Sequence, residues 1–381
     1  MFLALRELRF ARARFGLMGG VIALIAILMV LLSGLSSGLV NDGVSGLKAM
    51  PATAFAFNEG TKTDNAFSRS VVDESQAEAW RGQPGVKDVT LMGSTMMNGA
   101  TEDGTQVDLS LFGVESDSFL APEIGEGRAS EAPHEIVVSA TGADEGLELG
   151  SVVTLDRIGT ELTVVGYTPG QATFGHVTIA YLPLPTWQYI ASGDAAPGTP
   201  TEVIVSSEAR DTASTVALLA EDGEDIDFAA GDEAAGTVTS SLKESFNASP
   251  GYSAETLTLQ MIQVFLYAIC ALVVGAFFTV WTVQRKHELA VLRAIGASTG
   301  YLLRDGLAQA AIILIGFTGL GVLAGLGMGS ALSGTAMPFA LEVAPISLAT
   351  ALTILLGLIG AAAAIIRISR VDPLAALGGQ R

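Results

Sequence analysis

Four stretches of the chain, 15–40, 256–284, 306–341 and 343–366, run without a charged side chain. A helix rises about 1.5 Å per residue and needs about 20 apolar residues to cross a membrane, so each stretch accommodates one crossing. The pattern predicts transmembrane helices over 15–40, 258–283, 306–330 and 346–366, with a loop over 331–345. Between the first and second helices the pattern changes. "SQAEAWRGQPGV" predicts a helix closed by Gly82 and Pro84. "KDVTLMGSTMM", "TQVDLSLFGV", "HEIVVS", "SVVTLDRIG", "TELTVVGYT" and "HVTIAYLPL" are β-rich runs bounded by turn residues. One more strand is expected at "TEVIVSS" and a helix around Thr212 to Glu221. The predicted fold is a membrane protein of four transmembrane α-helices with a large α+β domain, 41–255, inserted between helices 1 and 2. That domain is expected to have two subdomains, the β-rich one inserted into the α/β one.

Composition strengthens the membrane assignment: half the residues are hydrophobic and the mean hydropathy is +0.49. Charge then orients it. Residues 41–255 hold 9 Lys or Arg against 34 Asp or Glu, a net of −25; the remainder holds 11 against 5, a net of +6. Those 11 basic residues precede the first span, lie between the second and third, or follow the fourth. By the positive-inside rule, both termini and the 284–305 loop are expected in the cytoplasm and the acidic domain outside it. Residues 1–14 read as an amphipathic cytoplasmic helix, or equally as the charged flank of the first span, and 367–381 as a cytoplasmic tail. A cleaved signal peptide is disfavoured by the 26-residue first run. Cys270, the single cysteine, lies in the second span, so no disulfide is expected in the domain.

Several chemistries are missing from the sequence. There is no G-x-x-x-x-G-K-[ST] and no Gly-Lys pair, so no P-loop. His134, His176 and His287 are far apart, and one cysteine makes no zinc cluster. G-x-S-x-G occurs at Gly34–Gly38 and Gly296–Gly300, neither on the strand-to-helix turn of a nucleophile elbow. The reading is a non-enzymatic chain with no intrinsic cofactor. Its acidic domain argues against nucleic acid as a partner. Glycines at 34 and 38 and at 321, 325 and 329 supply small faces for helix packing, within one chain or between two.

The stretch "QRKHELAVLRAIGAS", 284–298, concentrates charge in a chain that is only 15% charged. On a helix it has two faces: Leu289, Val291, Leu292 and Ile295 form an apolar surface, Lys286 and Arg293 a basic edge, and Gly296 a C-cap. Orientation alone needs no such arrangement; docking into a partner's groove does. Here Arg285, Glu288, Ala290, Leu292, Arg293, Ala294, Gly296 and Ala297 resemble the "R-x-x-E-x-A-x-L-R-A-x-G-A" signature of ABC-transporter permeases of the MacB and FtsX type. The resemblance extends over nearly the whole chain, from "ALRELRFARARF" through "RISRVDPLAAL", with "EIGEGRASEAPHEIVVSATGADEGLELGSVVTLDRIGTELTVVGYT" similar to the family's β-subdomain. It implies a homodimer working with two copies of a separate ATPase that uses the ATP. Arg285, Glu288, Leu289, Leu292, Arg293 and Gly296 would form the coupling element, and the permease would act as a lever on external or membrane-dissolved material.

Cargo is where the family diverges. "SGL-x-x-GL" at Ser33, Gly34, Leu35, Gly38 and Leu39, with Arg69 and Ser70 further on, looks like the haem-exporter branch (HrtB) and its relative DevC. Haem export from a bacterial plasma membrane is the function this implies. Haem iron accepts Met and His ligands, and the ring partitions into lipid. Met29, Ser33, Ser36 and Ser37 share one side of the first span, and "FAFNEG" sets Glu59 beside Phe55 and Phe57. Met29 and Glu59 are therefore the expected iron ligands, with Ser33 and Ser36 lining a cleft open to lipid where two first spans face each other in the dimer. Packing is the plain alternative for Met29 and solvation for Glu59; Glu342 with Met337, and Tyr267 with Cys270, are further candidates. Alternatives for the whole chain are a peptide, lipid or lipoprotein cargo, or activation of a cell-wall hydrolase.

Overall fold

The structure, a computed structural model, describes residues 12–203, 210–284, 291, 295–333, 335 and 337–369. Along the chain these form α1 (Arg12–Ala49), β1 (Ala54–Asn58), α2 (Ala66–Arg69), β2 (Val72–Asp73), α3 (Glu74–Arg81), β3 (Val86–Thr101), β4 (Gln106–Val114), β5 (Glu126–Gly127) and β6 (Glu135–Val138). Next come β7 (Val152–Leu155), β8 (Glu161–Tyr167), β9 (Thr173–Phe174), β10 (Val177–Pro183), α4 (Leu184–Ala191), β11 (Thr212–Ala213), β12 (Thr215–Ala220), α5 (Phe228–Ala235), β13 (Thr237–Ser241) and α6 (Leu242–Ser245). The long helices α7 (Tyr252–Gln284), α8 (Thr299–Leu332) and α9 (Val343–Ser369) complete the described chain. Two compact units result, one of residues 1–39 with 256–381, the other of residues 40–255.

The first unit is a helical bundle whose four helices are each long and apolar enough to cross a membrane. Each helix is longer than its predicted span. The first continues past residue 40 to Ala49, with a non-helical break at Val44 (φ −145°, ψ 19°), because Val44 and Leu47 have a buried site of their own in the other unit. The third begins at Thr299, capped by Ser298, whose Oγ accepts from the Tyr301 amide at 3.2 Å. Between α7 and α8 most of the predicted coupling helix lies outside the described residues. Among its described residues Gln284 and Val291 are helical, and the chain turns at Gly296 with φ +107°, a conformation that favours glycine.

The bundle interior holds Phe15, Met18, Ile22, Ile25, Met29, Cys270, Val274 and Phe278, with Ile313 and Leu314 from α8 and Ala361 and Ile365 from α9. Leu257, Val264, Phe265 and Leu272 of α7 are left exposed, as lipid-facing side chains must be. The small-residue faces pack within this one chain. A Cβ on Gly321 would lie 2.4 Å from the Ala23 carbonyl oxygen and 2.6 Å from the Ala26 Cβ, and one on Gly360 2.3 Å from the Ala271 carbonyl oxygen. Gly34 and Gly329 both abut Phe339 of the loop after α8, and the Ala340 amide donates to the Gly34 carbonyl at 3.0 Å. Gly321→Val is therefore expected to force α8 off α1. A fall in the thermal stability of the detergent-solubilised chain would show it, whereas Gly316→Val, with open space around the Cβ, leaves stability unchanged.

The second unit is built on one eleven-stranded sheet with the order β13-β1-β12-β3-β4-β10-β6-β8-β5. Strand β7 pairs with both β3 and β8, which closes β3, β4, β10, β6, β8 and β7 into a ring. The two expected subdomains thus share a strand: residues 86–92 of β3 pair with β12, and 93–100 with β4. At the crossover Gly93 pairs with Gly113, and a Cβ on either would fall 2.0–2.3 Å from Trp187, so two bare backbones make room for one indole.

In the α/β half, β1 is buried on both faces. Ala54 and Ala56 join a core with Trp80, whose Nε1 donates to Thr237 Oγ1 at 3.1 Å; Phe55 and Phe57 join another with Phe67, Met92 and Phe174. The helix expected around 212–221 is instead β11 and β12. Val216 and Leu218 fill one core and Ala217 the other. A strand apolar on both faces has no polar alternation to distinguish it from a short helix. Most of the expected "TEVIVSS" strand lies outside the described residues.

Candidate functional site

The expected cargo residues are divided between the units. Met29 and Ser33 lie one turn apart on α1, both buried within the bundle of their own chain, and Ser36 is partly exposed. Met29 belongs to the interior core that α1 forms with α7, α8 and α9 of its own chain. Glu59 belongs to the other unit. It is exposed in the turn after β1, its amide donating to the Gly236 carbonyl at 3.0 Å.

The aromatic surface expected beside Glu59 is corrected. Phe55 and Phe57 point into the domain core, their rings 5.3 and 5.0 Å from Phe67 in edge-on contact, because alternate residues of a strand share one face and this face is covered. Of the further candidates, Glu342 and Met337 are exposed, while Cys270 is buried beside a partly buried Tyr267. Among the described residues no group of three His, Cys, Asp or Glu is arranged to hold a metal ion. Of the coupling residues, Arg285, Glu288, Leu289, Leu292 and Arg293 lie outside the described residues, and Gly296 is the left-handed turn noted above.

Sequence reasoning missed a cluster at the two ends of the second unit. His176 Nδ1 lies 2.9 Å from Asp42 Oδ2, and its Nε2 2.9 Å from Glu255 Oε2. The imidazole projects from the tight β9–β10 turn, where Gly175 and His176 both have positive φ, 60° and 65°. The turn is bonded to residues 42–45 as well: the Gly175 amide donates to the Gly43 carbonyl at 2.8 Å, and Ser45 and Thr173 share a hydroxyl–hydroxyl bond of 2.7 Å. Asp42 Oδ1 accepts from Gln171 Nε2 at 2.9 Å, and Ser249 Oγ donates to the Gly43 carbonyl at 3.2 Å. Positions 42, 176 and 255 are too far apart in sequence for any spacing rule to join them.

A four-helix membrane unit with a large mixed α/β domain inserted after its first helix defines the class: a polytopic membrane protein that carries its bulk outside the bilayer. Residues 14–232 match the MacB-like periplasmic core domain and residues 261–373 the FtsX-like permease C-terminal domain. The chain belongs to this family of ABC-transporter permeases, its inserted domain is extracytoplasmic, and a permease of this kind works with an ATPase partner. It is 25% identical over 382 residues to the hemin transport system permease protein HrtB of Staphylococcus epidermidis, covering 100% of this chain and 99% of that one. It is 24% identical over 385 residues, at the same coverage, to an uncharacterized ABC transporter permease of Mycobacterium tuberculosis. Among solved structures it is similar to the periplasmic region of MacB from Actinobacillus actinomycetemcomitans, at 14% identity and a TM-score of 0.35 over 50% of this chain and 89% of that one.

Proposed function

We propose that this permease exports haem from a bacterial plasma membrane. Two copies would pair with two copies of the ATPase, their termini and the 284–298 segment in the cytoplasm. One observation carries the reading. The similarity to a hemin transport permease covers this chain end to end, the extracytoplasmic domain as well as the coupling stretch. Nucleotide-driven closure in the cytoplasm would pass through the helices to the extracytoplasmic domains and move haem that has partitioned into lipid. Peptide, lipid or lipoprotein cargo and hydrolase activation are the competing outcomes.

Met29 and Glu59 are the proposed iron ligands, beside Ser33 and Ser36 at a cleft between two first helices. A thioether with three rotatable bonds can turn from the bundle interior toward such a cleft. Haemin added to the solubilised chain is expected to give a shifted Soret band that Met29→Ala and Glu59→Ala each weaken. A wild-type spectrum identical to that of free haemin in detergent would sink the haem reading. A shift weakened by Met29→Ala alone would keep haem and reassign the carboxylate.

A further inference from the structure

The chain enters the extracytoplasmic domain at residue 40 and leaves it at 255. Any movement passed along α1 and α7 must arrive through residues beside Asp42 and Glu255. The only side chain among the described residues bonded to both carboxylates is His176. Its turn is fixed to the entering segment by the Gly175–Gly43 and Ser45–Thr173 bonds, so the imidazole has little freedom to choose other partners. A ring with a carboxylate oxygen 2.9 Å from each nitrogen is satisfied when both nitrogens carry hydrogen. The neutral ring has one N–H and one lone pair, and the lone pair would face a carboxylate.

We propose that Asp42, His176 and Glu255 form a proton-dependent clasp that fastens the entering end of the domain to its leaving end. His176 is then a positioning residue for the lever. The protonated clasp holds the two segments at a fixed separation, and loss of the proton releases the Glu255 or the Asp42 side. What the clasp serves rests on the reading of this chain as a lever-type permease; its existence does not, and it is independent of the cargo.

The electrostatic surroundings agree in sign. Burial, the largest single influence, disfavours the imidazolium, but the hydrogen-bonded and charged Asp42 and Glu255 together outweigh it, so the His176 pKa is raised above its ordinary 6.5. The other acids nearby are Glu145, held above the usual carboxylate range first by burial, and Asp108 and Asp144, which with Asp42 raise it further. Glu145 accepts from Thr178 Oγ1 at 2.9 Å. For a group whose folded pKa is raised, the stabilisation is fully present below the unfolded value and lost as pH rises through the folded value. The clasp is therefore fully closed below pH 6.5 and opens as pH rises through the raised pKa of His176.

The test uses the full chain in lipid nanodiscs. The melting temperature of the wild type is expected to exceed that of His176→Gln by about 2–4 °C at pH 6, and the gap to close by pH 9. Hydrogen–deuterium exchange at the Gly175 amide, corrected for the intrinsic effect of pH, is expected to quicken as pH rises in the wild type and to be fast and flat in His176→Gln. Glu255→Gln, which keeps the Asp42 bond, should retain part of the pH dependence and serves if His176→Gln fails to fold. Parallel melting curves for wild type and variant across pH, or Gly175 exchange that ignores the substitution, would overturn the clasp. None of these measurements involves haem or the ATPase, so failure of the haem reading leaves them intact.

Discussion

Replacing Arg293 by Glu, or Leu292 by Asp, is expected to uncouple the permease from its ATPase. Read as a helix, the stretch around them would set an apolar surface beside a basic edge, and the family resemblance implies that it docks in the ATPase groove. An aspartate at Leu292 would put an unpaired charge into an apolar contact, and a glutamate at Arg293 would reverse a charge at its edge. A partner group left buried and unpaired costs about 2–5 kcal/mol, well over tenfold in affinity. Co-purification of the ATPase and its activity in the reconstituted complex measure this; both unchanged in both variants would remove the docking role. His287→Ala, on neither face as assigned, is the internal control.

Phe67→Ala is expected to be the most damaging single truncation in the extracytoplasmic domain. Phe67 is fully buried, and its ring meets Phe55, Phe57 and Phe174 edge-on at 5.0–5.3 Å, so one side chain from the short helix α2 joins β1 to the β9–β10 turn. Removing a buried phenylalanine costs about 3–5 kcal/mol, lost transfer energy plus the cavity left behind. A domain of this size shifts by about 2–4 °C per kcal/mol, so a fall of roughly 6–20 °C is expected. The damage reaches the clasp, since Phe174 lies two residues before His176. A loss smaller than that of Phe119→Ala, whose partly exposed ring packs at the edge of the same core, would show that the aromatic cluster is not the keystone of this half.

Membrane assignment was legible because it depends on composition over about 20 consecutive residues, which no tertiary contact can alter. The strands with turn residues at each end were legible for a similar reason: β3, β4, β6, β7, β8 and β10 each occupy a run marked in the sequence. β12 was not, because burial on both faces removes the alternation that marks a strand. Phe55 and Phe57 were misjudged by proximity. Fifteen and seventeen residues after the uncharged run they look like surface near lipid, but the sheet covers the face they share. The cluster of Asp42, His176 and Glu255 left no sequence signal, since each residue taken alone is an ordinary polar side chain near a turn or helix end.

By itself the sequence determined the four apolar helices and the acidic inserted domain, each a property of residues close together along the chain. Only the tertiary structure decided which faces are covered: that Met29 looks into its own bundle, that the glycine stripes pack α8 against α1 in the same chain, and that a histidine from one β-turn holds both ends of the domain. Those outcomes depend on contacts between residues many tens to hundreds of positions apart, and hydrophobic patterning states that a side chain is buried without naming what buries it.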